Sequence, residues 1–155
     1  MISSELIDDK LCPLKILLAD DDKDDRFLFS LALDEISMPS NLVTFVDREK
    51  LMDYLFDNDE PFSGVVFIDM NMPRKGGLEC LSEIKQTKKL KDLPLIIFST
   101  SNSRDMIDKA FRNGADVYIQ KPSDFSQLKQ VIFHALPIAI EKMSSNSSLK
   151  YILNA

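Results

Sequence analysis

The sequence predicts an α/β fold of the doubly wound kind, built on a five-stranded parallel sheet. Three observations predict it. Five short apolar runs recur along the chain, at Leu14–Ala19, Leu42–Val46, Val65–Ile68, Leu95–Phe98 and Val117–Ile119. Each has a strand's length and none is long enough for a helix. Stretches with helical spacing follow each run in turn. Apolar runs that do not alternate with polar residues call for cover on both faces, which helices on either side of a parallel sheet provide.

Each element has its own justification. In the first helical stretch Phe27 and Leu31, and Leu28 and Ala32, pair at i,i+4. Leu51, Met52 and Leu55 mark the second, with Asp47 placed as its N-cap. Leu78, Leu81 and Ile84 mark the third. Leu93-Pro94 opens the fourth strand, where proline is tolerated at the first residue. Met106 with Ala110, and Ile107 with Phe111, mark the fourth helix, and Asn113-Gly114 is its stop signal. Phe125, Leu128, Ile132 and Leu136 mark the fifth, which Pro137 should end or kink. Phe27, Phe29, Phe111 and Phe125 read as core. The expected organisation is an N-terminal extension over 1–12, one domain over 13–136 and a C-terminal tail over 137–155. Ser144-Ser145-Asn146-Ser147-Ser148 reads as a flexible linker before a short apolar end, Leu149–Leu153.

Composition narrows the function. With 155 residues, 45% hydrophobic and 28% charged, the chain reads as one soluble cytoplasmic domain with a sizeable core. A net charge of −6 argues against nucleic acid or an anionic membrane as partner. One histidine, His134, and two cysteines, Cys12 and Cys80, cannot build a structural zinc site. The cysteines form no CxxC and read as reduced thiols, and His134 reads as structural. Four glycines leave neither GxGxxG nor a P-loop. No apolar run approaches the ~18 residues of a membrane span. Met1–Cys12, mixed and acidic, does not read as a signal peptide.

Doubly wound sheets bind ligands beyond the carboxyl ends of their strands. Asp20-Asp21-Asp22 follow the first run, Asp69 the third, Ser99-Thr100 the fourth and Lys121-Pro122 the fifth. Two carboxylates ~4 Å apart repel by about 4 kcal/mol at an effective dielectric of 20. Such a group needs cations. Lys121 supplies one, and Mg²⁺, which favours carboxylates, a carbonyl and waters beside phosphate, would supply the rest. A carboxylate so placed can attack phosphorus and form an aspartyl phosphate.

In order and position these residues resemble the receiver domain of two-component response regulators, over roughly Leu14 to Leu136. The resemblance rests on the acidic pair, Asp69 in a D-x-x-M-P context with Met72-Pro73, Gly77 four residues past Pro73, Ser99 and Lys121-Pro122. The stretches Met72–Glu79 and Leu93–Ser101 are most similar to the single-domain group associated with bacterial phytochromes. The resemblance implies a flavodoxin-like (βα)5 fold and a role for each residue. Asp69 would be the phospho-acceptor. Asp21 would ligate Mg²⁺ directly, Asp20 mainly through water, and Asn71 through its backbone carbonyl. Ser99 would be the switch hydroxyl, Lys121 the partner of the phosphoryl oxygens and Tyr118 the switch aromatic. It implies a histidine kinase or phosphotransfer protein as donor. Output would pass to a partner protein, or through self-association, on the face of the fourth helix, fifth strand and fifth helix.

The chain departs from the family's pattern at Ser123, where phenylalanine is common. Asn71 and Ser101 stand where side chains tune self-dephosphorylation. Two rival readings stand beside this one. Asp20-x-Asp22 resembles the opening motif of haloacid-dehalogenase-type phosphatases, with Asp20 as nucleophile and Asp22 as general acid, but that leaves Asp69–Pro73 unexplained. A receiver-like interaction module that is never phosphorylated would share the fold. An EF-hand is excluded, because Asp25 and Leu31 occupy the positions that need glycine and glutamate.

Overall fold

A computed structural model describes residues 13–57, 63–71, 76–145 and 150–154. The expected extension over 1–12, with Cys12, lies outside the described residues, as do Met72-Pro73-Arg74-Lys75 and residues 146–149 of the tail. Elements alternate strictly: β1 (Leu14–Ala19), α1 (Lys23–Glu35), β2 (Ser40–Phe45), α2 (Arg48–Asp57), β3 (Val65–Asp69), α3 (Gly77–Gln86), β4 (Leu95–Ser99), α4 (Arg104–Arg112), β5 (Val117–Gln120), α5 (Phe125–Ser145) and β6 (Tyr151–Leu153). The strands form one sheet in the order β2-β1-β3-β4-β5-β6. All its pairings are parallel.

Alternate strand residues feed two cores. Leu17, Val66, Ile68, Leu95, Ile97 and Tyr118 pack with α2, α3 and α4 through Leu51, Leu81, Ile84 and Ala110. Ile16, Leu18, Val65, Phe67, Ile96 and Phe98 pack with α1 and α5 through Phe29, Ala32, Ile132 and Leu136. Phe29 meets Phe67 edge-on at 4.9 Å and Phe98 at 5.9 Å, which ties α1 to the strands under the site. Asp47 caps α2 by accepting from the Lys50 N–H at 2.8 Å. Gly114, at φ 118°, turns the chain after α4 as the stop signal predicts.

The structure corrects the sequence reading at four points. The sheet has six strands rather than five, because Tyr151–Leu153 pairs along β5. Of the two outcomes expected at Pro137, an end or a kink, the end is overturned: α5 spans 21 residues through it. Pro137 lies on the solvent side with the exposed Phe133, where water can take the carbonyl that proline cannot meet. The buried Ala139 and the partly buried Ile138 hold the helix to the sheet beyond that point. Phe27 is not core but 65% exposed, since α1 buries Phe29, Ala32 and Leu33 instead. His134 is exposed too, edge-on to Phe133 at 5.7 Å. Among the described residues no helix is long and apolar enough to cross a membrane.

Candidate functional site

The strand order creates a switch point between β1 and β3. The chain leaves β1 for β2 on one side and comes back to β3 on the other. The crevice at such a point is where doubly wound sheets take ligands. Asp20 follows β1 directly and Asp69 ends β3, and Ala19 pairs with Ile68. The two aspartates therefore stand side by side, both buried, with exposed Asp21 beside them. Carboxylate oxygens of Asp20, Asp21 and Asp69 lie within 4.8 Å of one another.

Local hydrogen bonds aim these groups. The Asp22 N–H donates to Asp20 Oδ1 at 2.9 Å, and the Asn71 N–H donates to Asp69 Oδ1 at 3.0 Å. Each loop thus folds back on one oxygen of its own carboxylate and leaves the other for the centre. There Lys121 Nζ lies 3.3 Å from Oδ2 of Asp20 and 3.3 Å from Oδ2 of Asp69. The Lys121 N–H donates to the Ser99 carbonyl at 2.7 Å, which pins the β5 end against β4. Ser99 is buried, and its Oγ accepts from the Ser101 N–H at 3.1 Å. Tyr118 is fully buried and its hydroxyl donates to the Ser101 carbonyl at 2.8 Å. Thr100 Oγ1 and Asn71 Oδ1 stand 3.5 Å apart across the mouth.

All seven residues singled out in the sequence thus meet at one end of the sheet. Three others were missed. Asp25 Oδ2 is 2.8 Å from Lys121 Nζ. The Arg26 guanidinium donates to the Asp20 carbonyl at 2.8 Å. Arg48 is buried at the start of α2, where burial lowers its pKa against the pull of Cys80, Asp69 and Asp21. A charge run hides the first two, because such runs are usually solvated. Asp22, the rival reading's general acid, is instead the α1 N-cap, accepting from the N–H groups of Asp24 and Asp25. It is not in the carboxylate cluster.

Electrostatics follow from burial and crowding. Burial pushes the Asp20 carboxyl up to about 6, and Asp69 adds to the shift, while the Asp22 N–H and Lys121 oppose it. Burial alone would lower Lys121, but its hydrogen bond to Asp25 and the charges of Asp69 and Asp20 outweigh that and hold it above the ordinary lysine range. One ammonium faces the carboxyl groups of Asp20, Asp25 and Asp69. The all-oxygen donor set suits a hard divalent cation, and its excess negative charge calls for one.

This arrangement has a pH signature. Between its unfolded value, 3.8, and about 6, native Asp20 keeps a proton that the unfolded chain has released. Its contribution to stability therefore falls as pH rises through that window, and the penalty is complete above it. With divalent ions chelated, Asp20→Asn is expected to raise the melting temperature at pH 7 by about 3 °C or more, since 1 kcal/mol corresponds to roughly 2–4 °C in a domain of this size. The gain should shrink towards pH 4. Thermal melts that show Asp20→Asn no more stable than the parent at pH 7 would contradict the account.

Comparison with known proteins agrees with this geometry. The family model of the response regulator receiver domain matches residues 16–133. This chain belongs to that family. The receiver is 28% identical over 124 residues to response regulator Rcp1 of Synechocystis sp., covering 77% of this chain and 84% of Rcp1. It is similar in structure to the phosphorylated cyanobacterial phytochrome response regulator RcpA, with a TM-score of 0.74 and 30% identity, over 88% of this chain and 97% of that one. The Mn²⁺-bound form of Rcp1 superposes with a TM-score of 0.70 and 27% identity, over 79% of this chain and 91% of that one. The receiver is therefore a module of two-component signalling, and its likeness to a phytochrome response regulator matches the reading of Met72–Glu79 and Leu93–Ser101.

Proposed function

We propose that this receiver is a cytoplasmic phospho-acceptor that takes a phosphoryl group on Asp69 from a histidine kinase or phosphotransfer protein. The single observation that carries the reading is the placement of Lys121 Nζ 3.3 Å from Asp69 Oδ2, within a cluster of three carboxylates. An Asp69 oxygen attacks phosphorus, the phosphorus–nitrogen bond to the donor imidazole breaks, and an acyl phosphate forms on Asp69. The donor keeps the electron pair and takes up a proton.

Asp21, Asp69 and the Asn71 carbonyl would hold Mg²⁺, with Asp20 acting mainly through water. When bound, Mg²⁺ supplies charge to the phosphoryl oxygens as they become more negative. Lys121 pairs with another of those oxygens. Ser99 donates its hydroxyl to the phosphoryl group. Its oxygen already accepts from the Ser101 N–H, which leaves the hydroxyl hydrogen free to donate, and Ser101 is also the residue that Tyr118 holds by its carbonyl. Ser99 and Tyr118 thus share one segment, which leads into α4. Phosphorylation biases that segment only as far as it interacts differently with the two states. The output face is that of α4, β5 and α5, where β6 pairs along β5 and forms the outer edge of the sheet, and it serves a partner protein or a second copy.

The test is incubation with a small phosphodonor, with and without Mg²⁺, read by intact mass. One phosphate should be gained with Mg²⁺ and none by Asp69→Asn. Absence of gain in the parent chain, or a gain that survives Asp69→Asn, would overturn the proposal. The phosphatase reading predicts instead hydrolysis of phosphate esters that Asp20→Asn abolishes.

A further inference from the structure

The shortest contact of Lys121 is not to Asp20 or Asp69. Nζ lies 2.8 Å from Asp25 Oδ2, against 3.3 Å from each of the other two carboxylates. Asp25 belongs to the first turn of α1, 96 residues away in the chain. That turn is fixed at both sides of Asp25. The Asp25 N–H donates to the capping Asp22 carboxylate at 3.1 Å, and the next residue, Arg26, holds the Asp20 carbonyl at 2.8 Å. Asp25 and Lys121 line one cleft together with Leu18, Phe29 and Phe98. Apolar neighbours strengthen the pair relative to one in open water.

We propose that Asp25 is a positioning residue that holds Lys121 in the unphosphorylated receiver and competes with the phosphoryl oxygens for it. This rests on the function proposed above. A phosphoryl group on Asp69 adds negative charge beside a lysine that already has a closer partner. Asp25 opposes the new state twice, by retaining Lys121 and by repelling the added charge. The Asp25 side chain is 37% exposed, so the contact is screened and sets a bias rather than a lock. Removing it should favour the phosphoryl-bound state.

The experiment titrates beryllofluoride, a non-covalent phosphoryl mimic, into the full chain at saturating Mg²⁺. Half-saturation is followed by NMR, alongside phosphate gain from a small donor. Asp25→Asn is expected to lower the half-saturating concentration about threefold, the scale of one partly exposed ion pair. It should raise phosphate gain in the same direction. Asp25→Glu, which restores the carboxylate, should return towards the parent, and Asp24→Asn should change nothing. Structural damage would weaken binding, so tightening separates positioning from misfolding. Unchanged or weaker binding by Asp25→Asn, or an equal gain from Asp24→Asn, would overturn the inference. If the parent binds the mimic and gains phosphate while Asp25→Asn shows no tightening, only the role of Asp25 falls. If the parent does neither, the proposed function falls and that role with it.

Discussion

Asp116→Ala is expected to cost about 3–5 kcal/mol of stability, the usual consequence of removing one partner from a buried ion-pair network. Asp116 is buried just before β5 and gathers charges from three elements. Its Oδ1 lies 2.9 Å from Lys142 Nζ on α5 and 3.6 Å from Lys150 Nζ beside β6. Its Oδ2 lies 3.3 Å from Lys85 Nζ on α3 and accepts from the Leu95 N–H at 2.9 Å. Its carbonyl accepts from the Tyr151 N–H at 3.1 Å, and Lys150 Nζ also donates to the Ala115 carbonyl at 2.9 Å. One carboxylate thus ties the far end of α5 and the sixth strand to the sheet. Burial would raise its pKa, but Lys85, Lys142 and the Leu95 N–H hold it below 3.8. Lys85 is itself lowered, because burial outweighs the pull of Asp116. The sign for Asp116 is that of a depressed acid. Its stabilisation is complete above its unfolded value and is lost as pH falls through the lower native value. Urea unfolding at pH 7 should therefore show a large loss for Asp116→Ala. The difference from the parent should narrow in acid below about pH 3.8. A loss under about 1 kcal/mol at pH 7 would mean that the three lysines are not held by this residue.

Lys121→Met should lower the rate of phosphate gain about a hundredfold at saturating Mg²⁺, the scale of losing one positioned donor to developing charge. Methionine keeps most of the apolar stem and removes the ammonium. The carboxylates of Asp20, Asp25 and Asp69 then lose the ammonium that, among the described residues, touches all three. The metal cannot take over, because Lys121 approaches the cluster from β5 while the ligand positions lie on the β1 and β3 loops. Timed intact-mass measurements give the rate directly. A rate within threefold of the parent would remove Lys121 from the chemistry.

Much of this was legible in the sequence because the site sits at strand ends. The first apolar run, Leu14–Ala19, has the same bounds as β1 in the structure. With the other runs as parallel strands, Asp20, Asp69, Ser99 and Lys121 must share an edge. The sixth strand was not legible. Three residues, Tyr151–Leu153, carry too little pattern, and their place depends on Lys150 reaching Asp116 and Ala115. Pro137 left an end or a kink of α5 open, and burial of Ala139 decides against the end. Phe27 misled because i,i+4 spacing alone does not say which stripe of α1 faces the sheet. Asp25 and Arg26 sat in a charge run, and only tertiary placement distinguishes a solvated acid from one 2.8 Å from Lys121.

The central claim is that Asp69 itself carries the phosphoryl group. Acyl phosphates are reduced by borohydride, which would convert the phosphorylated aspartate to homoserine at its own position. The most direct measurement is therefore peptide mass spectrometry after phosphodonor, Mg²⁺ and borohydride. Homoserine is expected at position 69 only, and none when Mg²⁺ is chelated. Homoserine at Asp20, Asp21 or Asp25 with Asp69 intact, or none at any aspartate, would contradict it.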